Sequence, residues 1–261
     1  DATWTVISSL ADKPVSYSIA NKKEYISAFF NTRTLETSAR MGLMGLLSVN
    51  SILESEIGSY YTKLIHPISI RFSEYPSQTT IPYYTEKTFE TYMSYASNPI
   101  SEVTAYYCGD ENSLEYKILS AYKDILSEKK ITLKIVQSDM VEMRNAILSG
   151  KADIWLETVS DGATCDKYEY YNSLGKFNYT AVNSAQIDEM TTRIRSSIGF
   201  SDKAQMTETL MKLVMEQAVE NPVCQLQTVT VYNTETVNPD SLAGFDDYDG
   251  FTYVIPHLEE N

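Results

Sequence analysis

Two histidines and three cysteines are all that the 261-residue chain offers to nucleophilic or zinc chemistry. His66 precedes Pro67 in an irregular stretch, and His257 lies in the C-terminal tail. A Ser-His-Asp or Cys-His relay needs an imidazole held against its nucleophile and oriented by a third group, and no Gly-x-Ser-x-Gly elbow accompanies either histidine. Cys108, Cys165 and Cys224 lack Cys-x-x-Cys spacing, which excludes a zinc site of the usual Cys/His kind and leaves room for at most one disulfide. Phosphate-cradling loops of the Gly-x-x-x-x-Gly-Lys-Ser/Thr or Gly-x-Gly-x-x-Gly type are absent. The 35 acidic residues include no pair that any feature marks for glycoside hydrolysis. The expectation is a protein that is not an enzyme, with no metal and no cofactor.

The chemistry that remains is binding. In Glu157-Thr158-Val159-Ser160-Asp161-Gly162 an apolar run hands over to a polar loop. Asp161 offers either a charge partner or the start of an Asx turn with Gly162. The backbone of Glu157, Thr158, Val159 and Ser160 offers an edge to which an extended peptide could add as a further strand. Asn31 and Tyr107 each stand at a strand end, as crevice residues or as a turn residue and a core tyrosine. Trp155 reads as core. Tyrosine outnumbers phenylalanine by 20 to 8, which suits recognition surfaces or half-buried positions. The formal charge of -14 repels phosphate backbones and anionic lipid head groups alike, so no nucleic-acid partner is expected.

These residues need elements to hold them. Val15-Ser16-Tyr17-Ser18-Ile19-Ala20 and the run from Glu24 to Thr34 read as two strands of a hairpin about Asn21-Lys22-Lys23. A helix opening at Thr34–Thr37 carries Ala39, Leu43, Leu46 and Leu47, and a short one follows through Ile57. Residues 60–85 read as an ordered loop and 86–97 as a helix. The most regular part comes next: strand 103–108, helix 113–128, strand 131–136, helix 139–149, strand 152–159. Short links between these elements predict a right-handed β-α-β-α-β unit with a parallel sheet, hence an α/β fold. Cys108–Asn112 and Thr158–Cys165 then fall at the carboxyl ends of strands, where open parallel sheets bind ligands, and Cys108 and Cys165 are expected to be neighbours. Ser184 is expected to cap a helix to Ser197, and Ser201 or Asp202 another from Lys203 to Val219, before a last strand from Val223.

The order of these elements resembles the C-terminal lobe of the solute-binding proteins of bacterial ABC importers for oligopeptides and dipeptides, the large three-domain class known as family 5. "EYISAFFNT" is similar to the family's tyrosine-rich strand ending in Phe-Asn, and "ETSARMGLMGLL" to its helix that usually reads Arg-x-Ala-Leu. "TEKTFETYMSYASNP", "VTAYYCGDENSLEYKILSAYKDIL" and "MRNAILSGKADIWLETVSD" stand where the family has a helix, a strand-helix pair, and a helix with its Gly-x-Asp strand and acidic loop. The resemblance covers about residues 15 to 255.

It implies a periplasmic-binding-protein-like lobe, with residues 1–233 as the second ligand-binding lobe and 234–261 as a return segment that packs on a first lobe outside this sequence. It also implies capture of a peptide or similar small solute for an ABC transporter permease, by a monomer. The expected location is extracellular or periplasmic, with lipoprotein anchoring in the full-length protein. Asp161 would pair with a ligand's amino terminus. The competing reading is a ligand-sensing domain of a regulatory protein with the same fold.

Overall fold

Val15–Phe30 forms one continuous strand, β1, where the sequence suggested a hairpin. The structure is a computed structural model that describes residues 14–47, 50–58, 61–76, 84–162 and 164–237. Tight hairpin turns need positive φ at their central residues. Among the described residues only Lys130, Ala181 and Ala218 are non-glycines with positive φ, so Asn21-Lys22-Lys23 cannot make such a turn. The polar trio instead forms a bulge opposite the last strand, Glu220–Asn233, where the register steps between Asn21 and Tyr25. Its polar groups are met by side chains remote in sequence. Gln225 donates to the Lys22 carbonyl, while Asn21 Oδ1 accepts from Thr62 at 3.0 Å and Gln227 at 3.2 Å.

The remaining strands are β2 (Tyr61–Lys63), β3 (Glu102–Cys108), β4 (Thr132–Ser138) and β5 (Ile154–Ser160), with Glu220–Asn233 as β6. They join in one six-stranded sheet of order β2-β6-β1-β5-β3-β4. β1 runs antiparallel to both β5 and β6, whereas β3 runs parallel to both β4 and β5. Pro222 lies inside β6 beside a second register shift between Ile26 and Ser27, a place where a sheet tolerates a residue without an N–H.

The helices among the described residues are α1 (Thr37–Leu46), α2 (Asn50–Ile57), α3 (Phe89–Ser94), α4 (Leu114–Glu128), α5 (Met140–Leu148), α6 (Tyr168–Tyr171), α7 (Ala185–Ser196) and α8 (Phe200–Glu216). The expected β-α-β-α-β unit is β3-α4-β4-α5-β5, with Ser113 and Asp139 as N-caps that accept from the backbone N–H groups of Tyr116 and Glu142. α4 buries Ile118, Leu119, Tyr122 and Leu126 with Val103, Ala105, Ile154 and Leu156. α5 buries Met143, Ala146 and Ile147 with Trp155, Val159, Tyr25 and Phe29. Successive strand residues point to opposite faces, so the two helices cover opposite sides of β5 and the fold is a three-layer α/β/α arrangement. α1 adds Leu43 and Leu46 to the α4 side.

α7 starts after Ser184, which holds the cap position without a side-chain capping bond, and it packs with α8 around Ile68, Tyr171 and Val182. α8 begins after Gly199, earlier than the expected cap, and ends at Glu216; Ala218 then takes φ 49° and turns the chain into β6. In place of a single helix over 86–97, a 3-10 turn at Glu86–Thr88 leads into α3. The buried Arg40 of α1 closes the end of α8, donating to the carbonyls of Gln217 at 2.7 Å and Ala218 at 3.1 Å and to that of Leu35. Unpaired carbonyls at a helix C-terminus favour a cation there.

All three cysteines are free. Cys108 Sγ lies 3.9 Å from Met143 Sδ and Cys165 Sγ 3.7 Å from Thr207 Oγ1; the two expected neighbours pack against different clusters and are not bonded to each other. β1 outruns β5, which pairs with it only from Glu24 onward. Residues 15–21 of β1 and 227–233 of β6 therefore project as a two-stranded ribbon, and the Thr234 N–H donates to the Pro14 carbonyl at 2.9 Å.

Candidate ligand-binding face

β3, β4 and β5 all finish at one end of the sheet, in the order Cys108, Ser138 and Ser160. Each is followed at once by a turn. Gly109 takes φ 132° after β3, Asp139 caps α5 after β4, and Asp161-Gly162 follow β5. The ladder between β3 and β5 joins Ala105–Tyr107 to Ile154–Leu156 and stops, while β5 runs on to Ser160. The result is a notch: among the described residues the side of Glu157–Ser160 that faces β3 is paired to no strand, and its other side is paired to Glu24–Ser27 of β1. Such an edge is the geometry that accepts an extended chain by backbone hydrogen bonds.

The side chains of this stretch alternate across the sheet. Thr158 Oγ1 donates to Glu115 Oε1 at 2.9 Å on the α4 side. On the α5 side, Glu157 pairs with Arg144 at 2.9 Å, and Arg144 stacks 4.1 Å above the Tyr179 ring. Burial raises the Glu157 carboxyl above its ordinary range, and Arg144 opposes that rise. Val159 is buried and Ser160 exposed.

Asp161 is not open to solvent: its carboxylate is 3% exposed and forms an ion pair with Lys167 Nζ. Its other oxygen accepts the Ser69 N–H at 2.8 Å. Lys167 also donates to Tyr25 Oη at 2.8 Å, and Tyr25 in turn donates to the Pro67 carbonyl at 3.1 Å. Behind them lies Glu220, 1% exposed, whose Oε2 accepts from Tyr171 and whose Oε1 has no hydrogen-bond partner among the described residues. Burial pushes the Glu220 carboxyl up to about 7, with Lys167 holding it back from a larger rise.

The other two sequence candidates stand apart from this loop. Asn31 follows the end of β1 that pairs with Ile154, the far end of β5. Its amide nitrogen donates to Ile147 and Ala152 carbonyls at 3.0 and 2.8 Å, and its oxygen accepts the Arg33 N–H at 3.1 Å. It fastens β1 to the turn before β5. Tyr107 is 2% exposed, packed in the α4 layer with its ring 5.5 Å from that of Tyr116.

This arrangement has relatives among solved structures. The ABC transporter substrate-binding protein CtaP of Listeria monocytogenes is similar over 88% of this chain and 49% of its own, at 16% identity and a TM-score of 0.76. The oligopeptide-binding protein AppA of Bacillus subtilis, solved with a nonapeptide, is similar over 94% and 52%, at 13% identity and 0.74. A nickel ABC transporter protein of Bacillus halodurans is similar over 90% and 53%, at 13% identity and 0.76. The fold is that of one lobe of an ABC-importer solute-binding protein. The chain thus spans about half the length of these proteins. Its sequence matches no family model and no curated protein.

Within the lobe, β5 and its loop are legible in the sequence, but the groups that surround the loop are not. Tyr25 sits in a strand between Glu24 and Ile26, Lys167 in a polar loop, and Glu220 at a helix-strand junction, three contexts in which such residues ordinarily face water or core. The one local signal is that Asp161 and Lys167 share a single loop.

Proposed function

We propose that this chain is the second ligand-binding lobe, residues 1–233 with 234–261 as a return segment, of a receptor that captures a peptide or similar small solute for an ABC transporter permease. Residues 238–261 lie outside the described part. The observation that carries the reading is the notch, a free strand edge over Glu157–Ser160 at the carboxyl end of the parallel strands. Thr158 beside Glu115 and the Glu157–Arg144 pair flank it. Backbone pairing there holds a ligand without reading most of its side chains.

Support for the two-lobed reading is the ribbon, which brings the incoming and outgoing chain together at Pro14 and Thr234 as one double connection. A double-stranded connection absorbs rotation at a few residues, which is how lobes close around a ligand. The receptor works as a monomer outside the cytoplasmic membrane, anchored as a lipoprotein, without catalytic turnover. The test is calorimetry of this chain joined to a first lobe, titrated with a library of short peptides. Micromolar binding of a subset of the library supports the reading, and no binding by a folded two-lobed protein contradicts it.

A further inference from the structure

We propose that Lys167 is a tethered ammonium: its side chain fills, from within the chain, a site built to hold a primary amine, and thereby closes that site to a ligand's amine. In bearing on specificity the inference rests on the ligand-capture reading, but its test does not.

Each wall of the site is fixed by a partner other than the lysine. Asp161 turns Oδ1 toward Lys167 because its Oδ2 is held by the Ser69 N–H at 2.8 Å. Tyr25 presents a lone pair to the ammonium, 2.8 Å away, because its own proton goes to the Pro67 carbonyl at 3.1 Å. The Tyr170 ring centroid lies 5.4 Å from Nζ, within the range at which a ring face attracts a cation, whereas Tyr25 meets the ammonium through its hydroxyl. The Tyr170 ring is wedged between two buried clusters, that of α7 and α8 and that of α5. Carboxylate, phenol oxygen and a ring face are the recognition chemistry of an ammonium.

The occupant comes from the same segment as the aspartate. Lys167 is six residues beyond Asp161, and between them Gly162 stands exposed, with open space where a side chain would be. The lysine and aspartate are each 3% exposed, so no second cation reaches the carboxylate while the lysine is in place. A ligand amine arriving at the end of β5 meets a neutralised pair in place of a free carboxylate. Ligands of this face are then selected through backbone groups and neutral or anionic ends.

The experiment is thermal melting of this chain and of Lys167→Ala in n-butylammonium chloride up to about 100 mM. Equal concentrations of sodium chloride, tetramethylammonium chloride and 1-butanol serve as controls. Lys167→Ala should melt lower than the parent and recover by about 5 °C in n-butylammonium alone, as binding to the native state by mass action requires. The parent and Lys167→Met, whose site stays filled, should respond to n-butylammonium only as they do to sodium. Should Lys167→Ala not fold unaided, its refolding yield in n-butylammonium against sodium chloride is the readout, with at least a several-fold gain expected. An alanine variant indifferent to the amine in both assays, or equally helped by butanol, overturns the proposal. So does a parent that responds like the variant.

Discussion

Two buried groups titrate in the same window with opposite consequences. Burial raises the Glu220 carboxyl to about 7 in the fold, so the native state holds a proton that the unfolded chain releases. That contribution is fully present below about pH 4.5 and is lost as pH rises through 7; it amounts to about 3 kcal/mol, because each tenfold change in proton affinity is worth about 1.36 kcal/mol. His66, fully buried with its ring 5.1 Å from that of Tyr75, is pushed down to about 4 by burial. Its contribution is present above about pH 6.5 and is lost as pH falls through 4. The two nearly offset each other in the parent. Urea unfolding at pH 4.5 and 7.5 should show Glu220→Gln gaining stability relative to the parent as pH rises, by about 3 kcal/mol. His66→Phe should show the reverse trend. A pH-independent difference for Glu220→Gln would mean that the carboxyl is not held protonated by the fold.

At the scale of elements, what the sequence reveals depends on how local the determining contacts are. The β3-α4-β4-α5-β5 unit is readable because its apolar periods, its caps at Ser113 and Asp139 and its short links all lie within a few residues of one another. β1 is misread because three polar residues in a row imitate a turn. Only Thr62, Gln225 and Gln227, far along the chain, make them tolerable inside a strand. Likewise the loop after β5 is readable as a place, and Asp161 as its charge, but of the groups that converge there only Lys167 is local, while Ser69 and Tyr25 come from distant segments. Arg40 shows the same dependence on remote contacts. It appears as one more charge on a helix, yet it ties α1 to the end of α8. Arg40→Ala should cost about 3–5 kcal/mol in denaturant unfolding, because several buried carbonyls lose their donor at once. Arg40→Lys should recover only part, since an ammonium cannot reproduce the fork of a guanidinium. A change below about 1 kcal/mol for the alanine variant would show that the clamp is dispensable.

At the scale of the whole molecule, a sheet covered by helices on both faces leaves the carboxyl end of its parallel strands as one place where backbone is open, beside the outer edges of β2 and β4. On the proposed reading as a single lobe, the chain offers a ligand only one wall. Two-walled clefts bury about 70–90% of a small ligand, whereas here each hydrogen bond nets about 0.5–1.5 kcal/mol before the entropy of association is subtracted. The chain alone is therefore expected to bind peptides with millimolar or weaker affinity by calorimetry, and micromolar binding would show that it is a complete receptor. The most direct test of the account is amide hydrogen exchange of the two-lobed protein with and without a bound peptide. Slowed exchange is expected at Glu157–Ser160 and in the turn after Cys108, with α7 and α8 unchanged. Protection confined to α7 and α8, with the β5 edge exchanging as before, would contradict the placement of the ligand at the end of the parallel strands.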